Sequence, residues 1–220
     1  MILSTNFNQS YIGPRNDILN LLPDNINRVL DIGCSIGTLG KQIKHFNENI
    51  EVVGIEYDKK MAHDADKYLD KVVVGDIETI IYTDLLKPDY FDVIILADIL
   101  EHLINPWQTL IKITSLLNNK GVVIASIPNV RHYSTIVNLF FRGDWPYKER
   151  GIHDRTHLRF FTKKTIKDMF DIANLNIKTI KRNYRIIENN SGFNRISKLL
   201  SFYPCKDFIT FQFLIVAYKK

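Results

Sequence analysis

Arg28-Val29-Leu30-Asp31-Ile32-Gly33-Cys34-Ser35-Ile36-Gly37-Thr38-Leu39-Gly40 is the stretch that decides the fold. It begins as a short apolar run, Val29 to Ile32, interrupted by a single acid. It breaks into a glycine-spaced turn and resumes as a helix carrying Leu39, Ile43 and Phe46. A strand, a tight turn and a helix N-terminus together make a ligand cradle. Gly33 and Gly37 lack a Cβ, so the backbone can turn sharply and a ligand can lie close against it. The N–H groups of the helix start point at that ligand. A dinucleotide cradle reads G-x-G-x-x-G, with the pyrophosphate on the helix dipole. Here the spacing is G-x-x-x-G-x-x-G, and Asp31 stands two residues before the first glycine. A carboxylate there repels a pyrophosphate and suits a ligand bearing an ammonium group.

Working outward, further apolar runs end in acids. Val52-Val53-Gly54-Ile55-Glu56 lies about 20 residues past the glycine loop, where a carboxylate accepts hydrogen bonds from both ribose hydroxyls. The helix after it, from about Lys60 to Leu69, packs Met61, Ala65 and Tyr68 or Leu69 on one face. Lys71 to Val74 is a third strand, followed by Asp76. Phe91 to Asp98 is a fourth, near-continuous and apolar as in a buried parallel strand. Pro106 opens a helix to about Leu117, stopped by Asn118-Asn119-Lys120-Gly121. Val122 to Ile127 is the fifth strand, ended by Pro128-Asn129. Strands alternating with helices predict a doubly wound parallel sheet whose ligand site lies beyond the strand C-termini. Asp31, Glu56, Asp76, Asp98 and Asn129 all fall at that edge, and scattered surface acids would not track strand ends.

Before the glycine loop, Ile18, Leu19, Leu21 and Leu22 suggest a short helix ahead of Pro23, and Tyr11 either closes over a ligand or packs. After the fifth strand, His132 to Phe141 reads as a helix. The stretch from Arg142 to Thr162 is dense in aromatic and ionisable residues and does not alternate, as expected of a segment holding a substrate. Thr162 caps a helix from Lys163 to Ala173. Asn176 to Lys181 is a sixth strand and Phe208 to Tyr218 a last one. Between them, Asn189 to Gly192 reads as a loop and Ile196 to Phe202 as a short helix.

The chain has 220 residues, enough for one α/β domain with additions. Its net charge of +5 permits an anionic substrate or a nucleic acid without demanding either. Two cysteines, Cys34 and Cys205, do not make a disulfide framework, and a reducing cytoplasm is the expectation. There is no basic segment leading into an apolar signal core, and no apolar run is long enough to span a bilayer.

Three stretches in order, Val29 to Gly37, Asp98-Ile99-Leu100-Glu101-His102-Leu103-Ile104-Asn105-Pro106 and Asp154-Arg155-Thr156-His157-Leu158-Arg159-Phe160-Phe161-Thr162, resemble class I S-adenosylmethionine (SAM) methyltransferases. The resemblance runs over about residues 10–181 and is nearest the ubiquinone-biosynthesis-like and polysaccharide-cluster groups. Motif I of that class is D-x-G-x-G-x-G, and Ser35 stands where its second glycine usually is; serine is small enough for the loop to be retained. The resemblance implies a Rossmann-like, three-layer α/β/α fold with seven mostly parallel strands, the last inserted antiparallel between the fifth and sixth. It implies a single domain over 1–220, a substrate-covering segment at about 131–162 and an insertion at about 182–207. The cofactor is then SAM. Asp31, Gly33, Cys34, Ser35 and Gly37 hold its methionine portion, and Glu56 with Tyr57 its ribose. Asp76 and Ile77 flank the adenine, although Asp76 also reads as a helix N-cap. Asp98 lies near the sulfonium and the substrate entrance.

Methyl transfer to a hydroxyl needs a positioned nucleophile and a group that removes its proton. Histidine titrates near neutrality, which makes His102, His153 and His157 the candidate bases, His157 first, with Asp154 as orienter. His157 also reads as a side chain that locks the loop through a hydrogen bond. His102, Asn129, Trp145 and Tyr147 are candidates for shaping the acceptor pocket. Arg155 and Arg159 are candidates for clamping a phosphate or carboxylate, or for pairing with Asp144 or Asp154. No metal is expected, because no His/carboxylate cluster stands out in the sequence. The expectation is therefore O-methylation of a small, anionic or sugar-linked acceptor by a monomer or homodimer, without membrane insertion. A nucleic-acid methyltransferase would suit the Lys178-Lys181-Arg182-Arg185 cluster. Yet Asp98-Ile99-Leu100-Glu101 stands where amino-group methylases of nucleic acids carry Asn/Asp-Pro-Pro-aromatic. An NAD(P)-dependent oxidoreductase is disfavoured by Asp31 and the glycine spacing. A non-catalytic SAM-binding protein is the remaining alternative.

Overall fold

A computed structural model describes residues 13–80, 87–185 and 205–220. Seven strands form one sheet in the order β3-β2-β1-β4-β5-β7-β6. They are β1 (Arg28–Ile32), β2 (Glu51–Glu56), β3 (Lys71–Val74), β4 (Phe91–Ala97), β5 (Leu117–Pro128), β6 (Leu175–Tyr184) and β7 (Thr210–Lys219). The first five pair in parallel. β7 runs antiparallel between β5 and β6, as the resemblance implies.

Alternation along the strands divides the core between the two faces of the sheet. Leu30, Ile32, Val53, Ile55, Ile94, Leu96, Val123 and Ala125 face one way. They pack with Leu110 and Ile113 of α4 (Pro106–Thr114) and Ile166, Met169 and Phe170 of α6 (Lys163–Ile172). Val29, Val52, Val93, Ile95, Val122 and Ile124 face the other way. Their partners are Ile18 of α1 (Asn16–Leu19), Leu39 and Ile43 of α2 (Thr38–Phe46), and Ala65 of α3 (Lys59–Ala65) with Leu69 beyond it. These are the three layers, with helices on both faces.

The helix caps follow the sequence. Asp58 accepts from the backbone N–H groups of Lys60 and Met61, and Asn105 from that of Gln108 ahead of Pro106. Thr162 and Thr165 form a reciprocal capping box. The reading of Asn118 to Gly121 as a helix stop is corrected. α4 ends at Thr114, and these residues lie within β5. Asn118 donates to Asp92 at 2.5 Å and accepts from the Lys120 N–H at 2.9 Å, and the register shifts between Phe91 and Val93. Gly121 serves a close backbone approach rather than a cap, since a Cβ there would lie 2.9 Å from the Phe91 carbonyl. His132 to Phe141 divides into α5 (Tyr133–Ile136) and a π-helical turn (Val137–Phe141). β6 continues to Tyr184, past the expected end of the sixth strand. Tyr11, Asn189 to Gly192 and Ile196 to Phe202 lie outside the described residues. Among the described residues, no helix is long and apolar enough to cross a membrane.

Candidate active site

The parallel pairing of β1 to β5 brings their C-terminal ends to one edge, and with them Asp31, Glu56, Asp76, Asp98 and Asn129. The glycine loop begins there. Gly33 (φ +74°), Ser35 (φ +51°) and Gly37 (φ +78°) all take left-handed backbone, so Ser35 adopts the conformation favoured by the glycine it replaces, against a Cβ clash. The Gly33 and Cys34 N–H groups donate to the Ile55 carbonyl at 2.8 and 3.1 Å, and the Ser35 N–H to Glu56 Oε2 at 2.8 Å. Three loop donors thus stitch β1 to β2. Among the described residues no side chain caps the start of α2, which leaves its first-turn N–H groups able to meet a ligand.

Asp31 is 2% exposed, and its Oδ2 has no hydrogen-bond partner among the described residues. Burial raises its pKa to about 7; the nearby Arg15 charge opposes that shift and Glu56 adds to it. A buried carboxylate lacking a partner is costly, and an ammonium group is the partner it lacks. This is the observation that fits the cofactor implied by the loop. Glu56 accepts a second N–H, that of Asp58 at 2.9 Å. Cys34 faces the core: its Sγ would lie 2.5 Å from a Cβ on Gly54, and burial pushes its thiol pKa up, with Asp31 and Glu56 adding to the shift. Tyr57 is exposed and Ile77 buried. Asp76 Oδ1 accepts from the Glu78 N–H at 2.9 Å, which is the capping geometry.

Asp98, also left-handed at φ +59°, joins three elements. Its carboxylate receives Arg15 Nη1 at 2.6 Å, Ser126 Oγ at 3.0 Å and the Gln212 amide. Burial works against the charge of Arg15, but Asp98 and Asp17 outweigh it and hold the guanidinium's pKa above its ordinary value. Beside this knot lies a cleft of about 580 Å³. Its wall includes Gly13 to Asp17, Asp98, Glu101, His102, Arg150, Asp154, His157, Asn183, Arg185 and Gln212.

Of the residues singled out in the sequence, His157, Asp154, His102 and Asp98 thus line one cleft. His157 Nδ1 lies 3.2 Å from the Ile152 carbonyl. A carbonyl can only accept, so Nδ1 carries the proton and Nε2 the lone pair. The near-neutral titration expected of His157 is corrected: burial, with His102 alongside, lowers its pKa to about 4, so the ring is neutral at pH 7. Asp154 orients His102 rather than His157. Thr156 Oγ1 donates to Asp154 Oδ1 at 2.6 Å and meets His102 Nδ1 at 3.1 Å.

The other candidates do not line this cleft. His153 is fully buried, with Nε2 3.1 Å from Thr135 Oγ1 and its ring 5.1 Å from that of Trp145. Asn129 is buried and donates to the Asp207 and Thr210 carbonyls, both at 2.8 Å, so it clamps β5 to β7. Trp145 also packs edge-on against Phe160, and Tyr147 is 69% exposed. Arg155 pairs with Glu149 at 2.7 Å, and Arg159 donates to the Ile104 and Leu158 carbonyls. The arginines in the wall are instead Arg15, Arg150 and Arg185.

Glu101 carries no role expected from the sequence. It follows β4 on a 3-10 turn (Leu100–His102) and is 1% exposed, with neither carboxylate oxygen hydrogen-bonded among the described residues. Burial, with Asp98 nearby, raises its pKa well above the usual range. The signal was present in the Asp98-x-x-Glu101-His102 spacing. Folding brings ligating atoms of Glu101, His102 and His157 within 4.8 Å of one another, a grouping that does not stand out along the sequence.

Comparisons with known proteins agree with this edge. The family model described as a methyltransferase domain matches residues 10–180. A SAM-dependent methyltransferase from Archaeoglobus fulgidus superposes with a TM-score of 0.64 at 20% identity, over 96% of this chain and 97% of that one. A Thermotoga maritima SAM-dependent methyltransferase gives 0.65 at 17%, over 96% and 89%. One from Mesorhizobium loti gives 0.62 at 13%, over 93% and 96%. No curated protein matches the chain. At such identities the structures establish a shared fold, and the family match establishes descent: this chain belongs to the methyltransferase domain family, its fold is Rossmann-like, and its cofactor is S-adenosylmethionine.

Proposed function

We propose that the protein methylates a hydroxyl of a small acceptor, a negatively charged sugar or glycan precursor, bound in the cleft beside Asp98. The observation that carries this reading is the fixed tautomer of His157. Its Nδ1–H is committed to the Ile152 carbonyl, which leaves a neutral Nε2 lone pair in the cleft wall. An oxygen nucleophile needs such a proton acceptor, placed where the acceptor binds. A cleft of about 580 Å³ suits a small molecule. Arg150 and Arg185 bring positive charge to its wall, which favours an anionic acceptor. The sugar class rests on the resemblance of the three sequence motifs.

When bound, SAM supplies the methyl carbon, activated by the sulfonium. Asp31, the loop from Gly33 to Gly37, Glu56 and Asp76 would hold it. Asp98 organises the junction through Arg15, Ser126 and Gln212. Asp154, through Thr156, fixes the orientation of His102. His157 Nε2 takes the hydroxyl proton. The segment expected to cover the substrate contributes Arg150, Gly151, Asp154 and His157 to the cleft, which supports that role for it.

The test incubates the full chain with methyl-labelled SAM and separate pools of phosphosugars, sugar nucleotides, neutral sugars, amines and RNA. Label should enter a hydroxyl of a charged sugar. His157→Ala should lower kcat by about 100-fold or more while leaving S-adenosylhomocysteine affinity unchanged. Label in RNA or in an amine, or an unimpaired His157→Ala enzyme, would refute this reading.

A further inference from the structure

We infer that Glu101, His102 and His157 form a binding site for a divalent first-row transition ion in the wall of the acceptor cleft. Ligating atoms of the three residues lie within 4.8 Å of one another, and all three residues line the cleft. His157 Nε2 is 4.0 Å from Glu101 Oε1, and a small side-chain rotation closes that to the separation of about 3 Å between adjacent ligands of one ion.

Three independent features prepare these groups as ligands. Glu101 is 1% exposed, and both its carboxylate oxygens lack hydrogen-bond partners among the described residues. Burying a carboxylate in that state is costly, and a dication compensates it. His157 must carry its proton on Nδ1, because the atom that faces Nδ1 is a carbonyl oxygen. The same holds for His102 by a longer route. Thr156 Oγ1 spends its only proton on Asp154 Oδ1, so towards His102 Nδ1 it can only accept. Both rings therefore present an Nε2 lone pair, and both are held by an outer hydrogen bond at Nδ1. Metal-ligating histidines are oriented in this way.

Two imidazoles and one carboxylate favour manganese, iron, cobalt or zinc over magnesium or calcium, and three protein ligands leave open positions for oxygen ligands. The inference rests on the cleft being the acceptor site. There an acceptor oxygen would complete the coordination sphere of the ion-loaded chain, whereas His157 Nε2 is free to take a hydroxyl proton only in the ion-free chain.

The test uses the full chain, stripped with chelator and dialysed. Mn²⁺ is titrated with free ion followed by electron paramagnetic resonance, and Co²⁺ with visible absorption, which reports nitrogen coordination. One equivalent should bind. Glu101→Gln and His157→Ala should each weaken binding by more than tenfold. Thr156→Val, which removes the hydroxyl linking His102 Nδ1 to Asp154, should weaken it by about tenfold. S-adenosylhomocysteine affinity, measured on every variant, reports folding. Thr156→Val decides the matter if Glu101→Gln fails to fold. Absence of stoichiometric binding, or binding undiminished in Glu101→Gln or Thr156→Val, would overturn the inference. A chain that binds the ion at these residues yet methylates no hydroxyl would uphold the site and remove the acceptor reading.

Discussion

Replacing Asp31 by Asn should make the protein more stable and disable its cofactor site. The side chain is 2% exposed, and its pKa is raised from 3.8 to about 7, mainly by burial. An acid whose pKa is higher in the folded state binds its proton more tightly there. Its contribution to stability therefore falls as pH rises from about 4 to about 7, and is constant above that. About three units correspond to about 4 kcal/mol, developed in full by pH 8. At pH 5 the same linkage leaves between about 1 and 2 kcal/mol, and below pH 4 almost nothing. Asparagine keeps the shape and cannot ionise. Asp31→Asn should thus exceed the parent by about 4 kcal/mol at pH 8, or about 10 °C in Tm for a chain of this size. The gap should nearly close at pH 4. Glu101, also buried with a raised pKa, titrates in both proteins and cancels in the difference. Urea denaturation of both chains at pH 4, 5 and 8 measures the gap. Calorimetric titration with S-adenosylhomocysteine should show the variant binding at least tenfold more weakly, as expected when a charged hydrogen-bond partner is removed. A gap independent of pH, or a variant less stable at pH 8, would refute the reasoning.

Ser35→Gly should stabilise the loop by about 1 kcal/mol, because Ser35 pays a Cβ clash at φ +51° that glycine avoids; a urea midpoint at or below the parent's would contradict this. His153→Ala should cost about 2 kcal/mol by emptying a fully buried position between Thr135 and Trp145. Cofactor affinity should survive that change, and a loss of kcat with stability intact would return His153 to the chemistry. Arg185→Ala should raise the acceptor KM, since Arg185 lines the cleft beside Phe211, its guanidinium 4.8 Å from that ring. Arg155→Ala, which removes an exposed pair with Glu149, should change stability by less than about 0.5 kcal/mol and leave KM alone. The opposite ranking of KM would place the anion clamp where the sequence suggested.

Features that depend on neighbours along the chain can be read from the residues alone. Alternation in Val29 to Ile32, Val52 to Ile55 and Phe91 to Ala97 sends successive side chains into two cores, and so requires a sheet covered on both faces. Acids at the ends of such runs then meet at one edge, because parallel strands finish together. The glycine loop, the Thr162 cap and the buried acid at Asp31 are legible for the same reason: their chemistry is set within a few residues. Asn118 to Gly121 misled because a turn-rich tetrapeptide is ambiguous until β4 lies beside it; Asp92 and the Phe91 carbonyl make it a strand irregularity. Which histidines share a wall is set by contacts between distant parts of the chain. Thr156 meets His102 across 54 positions, and Arg15 meets Asp98 across 83. No local period encodes such meetings. They depend on how the segment after β5 folds back over the strand ends, and on β7 entering beside β5 to carry Gln212 to Asp98. The same path buries His153 and Asn129, leaves Arg155 and Tyr147 at the surface, and assembles Glu101, His102 and His157. Burial and tautomer, which set what each group can do, are properties of that assembled wall.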